Sequence, residues 1–154
     1  MPSAPLSSSL IGSWELISRI DHTPSGERRI EPTLGEDPVA LLIYDGSGHF
    51  AAQFMRRDRS TEPASTGPAA TGAARAGNNT NAVGGYDAYF GTYTIDDANC
   101  TVTQTLTAAL SPGNVGQVLT RKMNVEGDAL TIEIDMTTGD GEAITRTLTW
   151  VRVG

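Results

Sequence analysis

The feature that most constrains this chain is a two-residue alternation that recurs in short segments along most of its length. It is clearest over 101–110, where every second residue up to position 107 is threonine, and Val102, Gln104 and Leu106 lie between the threonines. Successive side chains of a β-strand point to opposite faces of its sheet, so this pattern indicates a strand with one buried face. A chain made largely of such segments is predicted to be all-β.

Eight segments show the alternation, and turn residues separate them. In the first, the period places Arg19 on the face opposite Trp14, Leu16 and Ile20. Short connections favour an up-and-down arrangement, and closing the sheet removes exposed strand edges. We therefore predict an eight-stranded antiparallel up-and-down β-barrel. Its strands are Leu10–Ile20, Val39–Tyr44, Gly48–Arg56, Ala88–Ile95, Thr101–Leu110, Gln117–Val125, Leu130–Thr137 and Ile144–Val153.

A length of 154 residues suits one domain, so residues 1–154 are predicted to form a single barrel. Residues 1–9 are expected to be a flexible N-terminus. Two stretches break the rhythm, 21–38 and the longer 58–85, which is rich in Ala, Gly, Thr and Asn. A loop this long is either a functional lid or poorly ordered, and its composition favours disorder over much of its length. It contains a weak signal for a short helix near 68–76.

Composition excludes several classes of partner. A formal charge of -7 argues against nucleic acid, because phosphate binding needs clustered basic residues. There is no apolar run of the roughly 20 residues that span a membrane, and no secretory signal at the start, so a cytoplasmic protein is expected. Two histidines and the lone Cys100 make a zinc cage improbable. We expect a small-molecule partner, no cofactor and no metal, in a monomer or homodimer.

Two short motifs at opposite ends of the chain carry a resemblance. The first strand contains Gly12-Ser13-Trp14, and the last ends in Leu148-Thr149-Trp150-Val151-Arg152. Together they resemble the lipocalins, a calycin-type superfamily in which the tryptophan closes one end of the barrel and an arginine lies across it. If the first and last strands pair antiparallel, Arg152 meets Trp14, and the stacking contributes about 0.5–2 kcal/mol.

Further segments extend the resemblance to most of the chain outside 58–85. Residues 34–38, 42–44, 53–56 and 88–93 look like the lipocalin-like domain family of bacteria and fungi. This resemblance implies an eight-stranded barrel. Some lipocalin-like proteins of natural-product pathways are cyclases or isomerases that need no cofactor, and others only bind their ligand.

Polar residues on inward faces are the candidates for chemistry, since an eight-stranded barrel has room for little besides one small ligand. Gln104 shares the inward face of its strand with Leu106, and the period of the next strand places Arg121 inward. A buried guanidinium needs a carboxylate, a carbonyl, ordered water or an anionic ligand. Tyr89 and Tyr93 flank Gly91 on one face, where the missing side chain is predicted to leave room for a ligand.

The catalytic candidates are therefore Arg121, Gln104, Tyr89 and Tyr93, although glutamine bonded within the barrel and plain aromatic packing explain these residues equally well. The hairpin of the second and third strands has apolar groups on both faces, so its inward side is not assigned. His49 and His22 adjoin a turn and a loop and are expected to be exposed. The candidate ligand contacts are Trp14, Leu16, Tyr44, Gln53, Met55, Leu106, Met123, Ile132, Ile134 and Trp150.

Three functions remain open. The first is a cofactor-independent cyclase, isomerase or hydro-lyase acting on an apolar biosynthetic intermediate, with 58–85 as a lid. The second is a passive carrier of a hydrophobic molecule. The third, haem binding, requires a histidine on the inner wall.

Overall fold

The computed structural model describes residues 4–57, 84–138 and 140–154, and nearly all regular structure in them is β-strand. One helical turn, α1 (Leu6–Ser9), precedes the strands, and a short 3₁₀ turn (Pro112–Asn114) lies between the sixth and seventh. The strands are β1 (Gly12–His22), β2 (Arg28–Arg29), β3 (Val39–Tyr44), β4 (His49–Met55), β5 (Tyr86–Asp96), β6 (Thr101–Ala109), β7 (Val118–Glu126), β8 (Ala129–Thr137) and β9 (Ala143–Arg152).

The sheet closes on itself. From β3 to β9 every strand pairs antiparallel with the next, β1 pairs with β3, and an additional pairing joins β1 to β9. The prediction of an eight-stranded antiparallel barrel is confirmed. The two-residue β2, an extra strand, pairs with Asp21 and His22 at the end of β1.

A bulge in β1 corrects the predicted faces of the first strand. Leu16 pairs with Trp150 of β9, but the next ladder pair joins Ser18 to Thr149, so Ile17 is left out of register and its side chain is 55% exposed. One extra residue exchanges the two faces of everything that follows. Arg19, predicted to lie opposite Trp14, is therefore buried on the inner side together with Asp21.

One end of the barrel is closed by Trp14, which is fully buried. Its Nε1 donates to the carbonyl of Leu10 at 2.9 Å, and Cζ of Arg152 lies 4.3 Å from the centroid of its ring. Arg152 also donates to the carbonyl oxygens of Ile11 and Ser9 at 2.7 and 2.5 Å. The predicted stacking is confirmed. In the N-terminal segment predicted to be flexible, α1 packs here with Leu6 buried.

The opposite end, where β4 ends and β5 begins, is crossed by the connection from β1 to β3. Glu31 in this connection accepts hydrogen bonds from Thr33 and from the backbone of Leu34, which is fully buried. Residues 58–83 lie outside the described part of the chain. They include the short helix predicted near 68–76 and all of the predicted lid, 58–85, except Gly84 and Gly85. No helix among the described residues is long and apolar enough to cross a bilayer.

Candidate functional site

Three polar side chains from different strands lie buried inside the barrel. Tyr44 ends β3, Gln104 lies in β6 and Arg121 in β7, and all three are buried on the inner face. Nε2 of Gln104 donates to the phenol oxygen of Tyr44 at 2.5 Å, and that phenol in turn faces Sδ of Met123 at 3.9 Å. Burial raises the pKa of the Tyr44 phenol, so it stays protonated and acts as a donor. The predicted inward orientation of Gln104 and Arg121 is confirmed.

Arg121 is a buried cation whose charge no carboxylate neutralises among the described residues. Its side chain is only 9% exposed, and its Nε and Nη2 atoms have no hydrogen-bond partner in the described part of the structure. Desolvation lowers the pKa of this guanidinium below its usual value, and the phenols of Tyr89 and Tyr44 offset this in part. A buried charge in this state is costly unless something binds it.

The cavity beside Arg121 is small. Its volume is about 10 Å³, which holds about one water molecule. The hollow interior expected from the sequence is thus mostly filled with side chains, and a ligand head group of more than one or two atoms has to displace some of them. The lining consists of Leu42, Phe54, Tyr89, Gln104, Arg121, Met123, Ile132, Leu148 and Trp150.

A larger space opens in the wall between β1 and β3, which we call the lateral cleft. The β1–β3 ladder stops at the pair Glu15 and Leu41, and beyond it Val39 and Ala40 pair only with β4. The cleft has a volume of about 510 Å³, within the usual range for ligand sites. Phe54 lines both the lateral cleft and the interior cavity. The cleft is lined by Glu15, Leu16, Val39, Ala40, Leu41, Gln53, Phe54, Met55, Arg57 and Tyr86.

The structure divides the predicted site residues among these spaces. Gln104, Arg121, Tyr89, Met123, Ile132 and Trp150 line the interior cavity, whereas Leu16, Gln53 and Met55 line the lateral cleft. Four more, Trp14, Tyr44, Leu106 and Ile134, are buried in the core without lining either space.

Two predicted site residues, Gln53 of β4 and Tyr93 of β5, lie apart from Arg121. Gln53 is exposed and alternates with the buried Phe54, so it lies on the outer face of β4, where its Oε1 accepts a hydrogen bond from the phenol of Tyr86. Tyr93 donates to the carbonyl oxygen of Asp45 at 2.5 Å, at the turn between β3 and β4. His49 begins β4 with an imidazole that is 65% exposed, and neither histidine lines either space.

Gly91 has a different role from the one predicted. A Cβ at this position would lie 1.8 Å from the carbonyl oxygen of Thr105 and 2.8 Å from the amide nitrogen of Thr107. The register of β5 and β6 shifts here, between Phe90 and Gly91. The missing side chain therefore admits the backbone of β6, and the expected space for a ligand between Tyr89 and Tyr93 is absent.

Sequence reasoning missed an ionic cluster at the loop-covered end. Arg146 donates from Nε and Nη2 to both carboxylate oxygens of Asp21, at 2.7 and 2.9 Å, and Arg19 pairs with Glu31 at 3.4 Å. The β1 bulge hid this cluster, because it moves Arg19 and Asp21 to the inner side. Burial lowers the pKa of Arg19 to about 10.

Asp87, at the start of β5, is a second residue that was missed. Its spacing of two from Tyr89 was the available signal, since both lie on the inner face. Asp87 is fully buried, Oδ1 accepts the amide of Ala88 at 3.0 Å, and Oδ2 has no hydrogen bond among the described residues. Burial raises the pKa of this carboxyl to about 6, and only the charge of Arg19 and the Ala88 hydrogen bond oppose the shift.

Asp87 should make stability fall as pH rises. Its pKa is higher in the folded than in the unfolded chain, so the folded state binds the proton more tightly and loses stability as pH increases from about 4 to above 6. We expect Asp87→Asn to be more stable than the wild type by roughly 2–3 kcal/mol at pH 8 and nearly equal to it at pH 4. Urea unfolding at both pH values measures this. Asp140→Asn, at an exposed carboxyl, is the control, and identical pH dependence in wild type and Asp87→Asn would contradict the expectation.

Comparison with known proteins identifies the kind of domain this is. The model of a family described as lipocalin-like domain matches residues 11–153, nearly the whole chain. No curated protein matches the sequence significantly. The barrel of this family fits the binding of a small hydrophobic ligand, in agreement with the largely apolar walls of the cleft and cavity.

Proposed function

This chain belongs to the lipocalin-like domain family, and from that premise we propose that it binds one small, largely apolar organic molecule and transforms it without a cofactor. The reaction is a cyclisation, an isomerisation, or the addition or loss of water. One observation carries the proposal: Arg121 presents buried N–H groups that have no hydrogen-bond partner among the described residues to a cavity whose walls are otherwise mostly apolar.

Arg121 is suited to catalysis because of the charge that develops on the substrate during these reactions. Cyclisations and isomerisations of carbonyl compounds build negative charge on the carbonyl oxygen, and a preorganised donor in a water-excluded site stabilises that charge strongly. Arg121 is such a donor, and the hydrogen bond from Gln104 orients Tyr44 beside it. Apolar walls that hold a flexible substrate in its reactive conformation lower the barrier further. Of the other catalytic candidates, Tyr89 lies in the cavity wall and Tyr93 does not.

The test is conversion of a candidate substrate. Purified protein is incubated with polyketide and terpenoid intermediates that carry a carbonyl group, and the products are followed by mass spectrometry. We expect a product that forms with the wild type and forms about a hundredfold or more slowly with Arg121→Met, the scale expected for losing one such donor. Recovery of unchanged ligand after tight binding contradicts catalysis.

Recovery of unchanged ligand is the result expected of a passive carrier. One observation on the cavity wall favours this second function. The cavity wall contains an arginine, a glutamine and a tyrosine, but neither a carboxylate nor an imidazole among its described residues. A carrier needs no general base, whereas most proton transfers do. The absence of a histidine from both linings equally removes the support that haem binding needed.

A further inference from the structure

The interior cavity is lined by several hydrogen-bond donors that are unused among the described residues. Three buried nitrogen atoms in its wall have no partner among the described residues: Nε and Nη2 of Arg121 and Nε1 of Trp150. Arginine and tryptophan side chains only donate. An oxygen atom that accepts hydrogen bonds matches these three donors.

The charges inside the barrel indicate that the ligand atom beside Arg121 is an anion as well as a hydrogen-bond acceptor. Arg146 is neutralised by Asp21, and Arg19 by Glu31, so each has its own carboxylate. Arg121 has none among the described residues, and the positive charge of Arg146 is close enough to disfavour a second cation. A neutral carbonyl satisfies the N–H groups but leaves the charge buried, whereas an anionic oxygen satisfies both.

We infer that the ligand is a weak organic acid, a carboxylate or an enolate, whose anionic oxygen Arg121 holds and whose apolar body lies in the lateral cleft beyond Phe54. This inference rests on the proposed function and narrows its substrate class. The cavity has room for about one oxygen-sized group, and the cleft has about fifty times its volume, so head and body have separate places. Phe54, which lines both, has to turn aside to join them.

Arg57, which lines the lateral cleft, is a poorer anchor for an anionic ligand than Arg121. It is exposed, and its Nε lies 3.1 Å from a carboxylate oxygen of Asp37, so its charge is already paired and hydrated. The whole chain is strongly acidic and repels anions at long range. Among the described residues, Arg121 is the local, desolvated cation that can select an acid.

The experiment compares three probes that share one apolar chain: dodecanoic acid, dodecanol and methyl dodecanoate. Titration calorimetry at about pH 8, where the acid is ionised, gives their affinities for the wild-type protein. We expect the acid to bind about tenfold or more tightly than the alcohol or the ester, the usual gain from hydrogen bonds between charged groups. In Arg121→Met the acid should lose its advantage, so that the three affinities become equal.

Two further variants keep the inference falsifiable. Arg121→Lys retains the charge but not the planar fork, so part of the preference for the acid should remain. Arg57→Met is the matched control and should leave the preference intact. Loss of the preference in Arg57→Met, or equal binding of all three probes to the wild type, overturns the inference while ligand binding itself stands. Failure of all three probes to bind contradicts both the inference and the proposed function.

Discussion

Gly91→Ala should destabilise the folded chain strongly. The added methyl group would overlap the carbonyl oxygen of Thr105, 1.8 Å from the new Cβ, and crowd the amide of Thr107. Both obstacles are backbone atoms of β6, so no side-chain rotation relieves them, and β5 and β6 have to separate. We expect a loss of about 4 kcal/mol or more, which is exceptional for one methyl group and comparable to much of a small domain's stability.

Gly46→Ala is the matched control, since nothing lies within 4 Å of a Cβ at that position. Its effect should stay within about 0.5 kcal/mol. Thermal unfolding followed by circular dichroism measures both variants. A melting temperature of Gly91→Ala close to that of the wild type would show that β5 and β6 do not approach as described.

Arg146→Met should cost about 3–5 kcal/mol, because it leaves the Asp21 carboxylate buried without its bidentate partner. Both side chains are almost completely inaccessible to solvent, so water does not replace the lost hydrogen bonds. Arg19 also lies near Asp21 but is held by Glu31. Urea unfolding of the variant at neutral pH measures the loss.

The double variant Asp21→Leu with Arg146→Met tests the reason for that loss. Removing both charges removes the unpaired carboxylate, so stability should return to within about 2 kcal/mol of the wild type. The exposed pair of Arg28 and Glu36, 3.5 Å apart, is the control, and Arg28→Met should cost less than about 1 kcal/mol. A double variant no more stable than Arg146→Met alone would mean that packing, not charge, explains the loss.

Local alternation predicted most of the barrel, because the side-chain period of a strand needs no knowledge of its neighbours. All eight strands were predicted, and so was the orientation of Gln104 and Arg121 toward the interior. The contact of Arg152 with Trp14 followed from closure of the sheet, which brings the end of β9 to the start of β1.

The two-residue alternation did not predict where the strands depart from regular pairing. The bulge after Leu16 lies in the pairing of β1 with β9, and it decides that Arg19 and Asp21 are buried. Gly91 is small because β6 approaches it, and β6 is a separate part of the sequence. Both features depend on how two strands fit together, which neither strand shows by itself.

The amino-acid sequence alone therefore determined the strands and their order around the barrel, since these depend on side-chain alternation and turn residues near one another in the chain. The closed end at Trp14 was what the resemblance to the lipocalins implied. Only the tertiary structure decided that the interior is nearly full, that a ligand-sized space opens at the lateral cleft, and that Arg121 has no carboxylate among the described residues. Cavity volume and charge pairing depend on distances between residues far apart in sequence, and those distances exist only after the barrel closes.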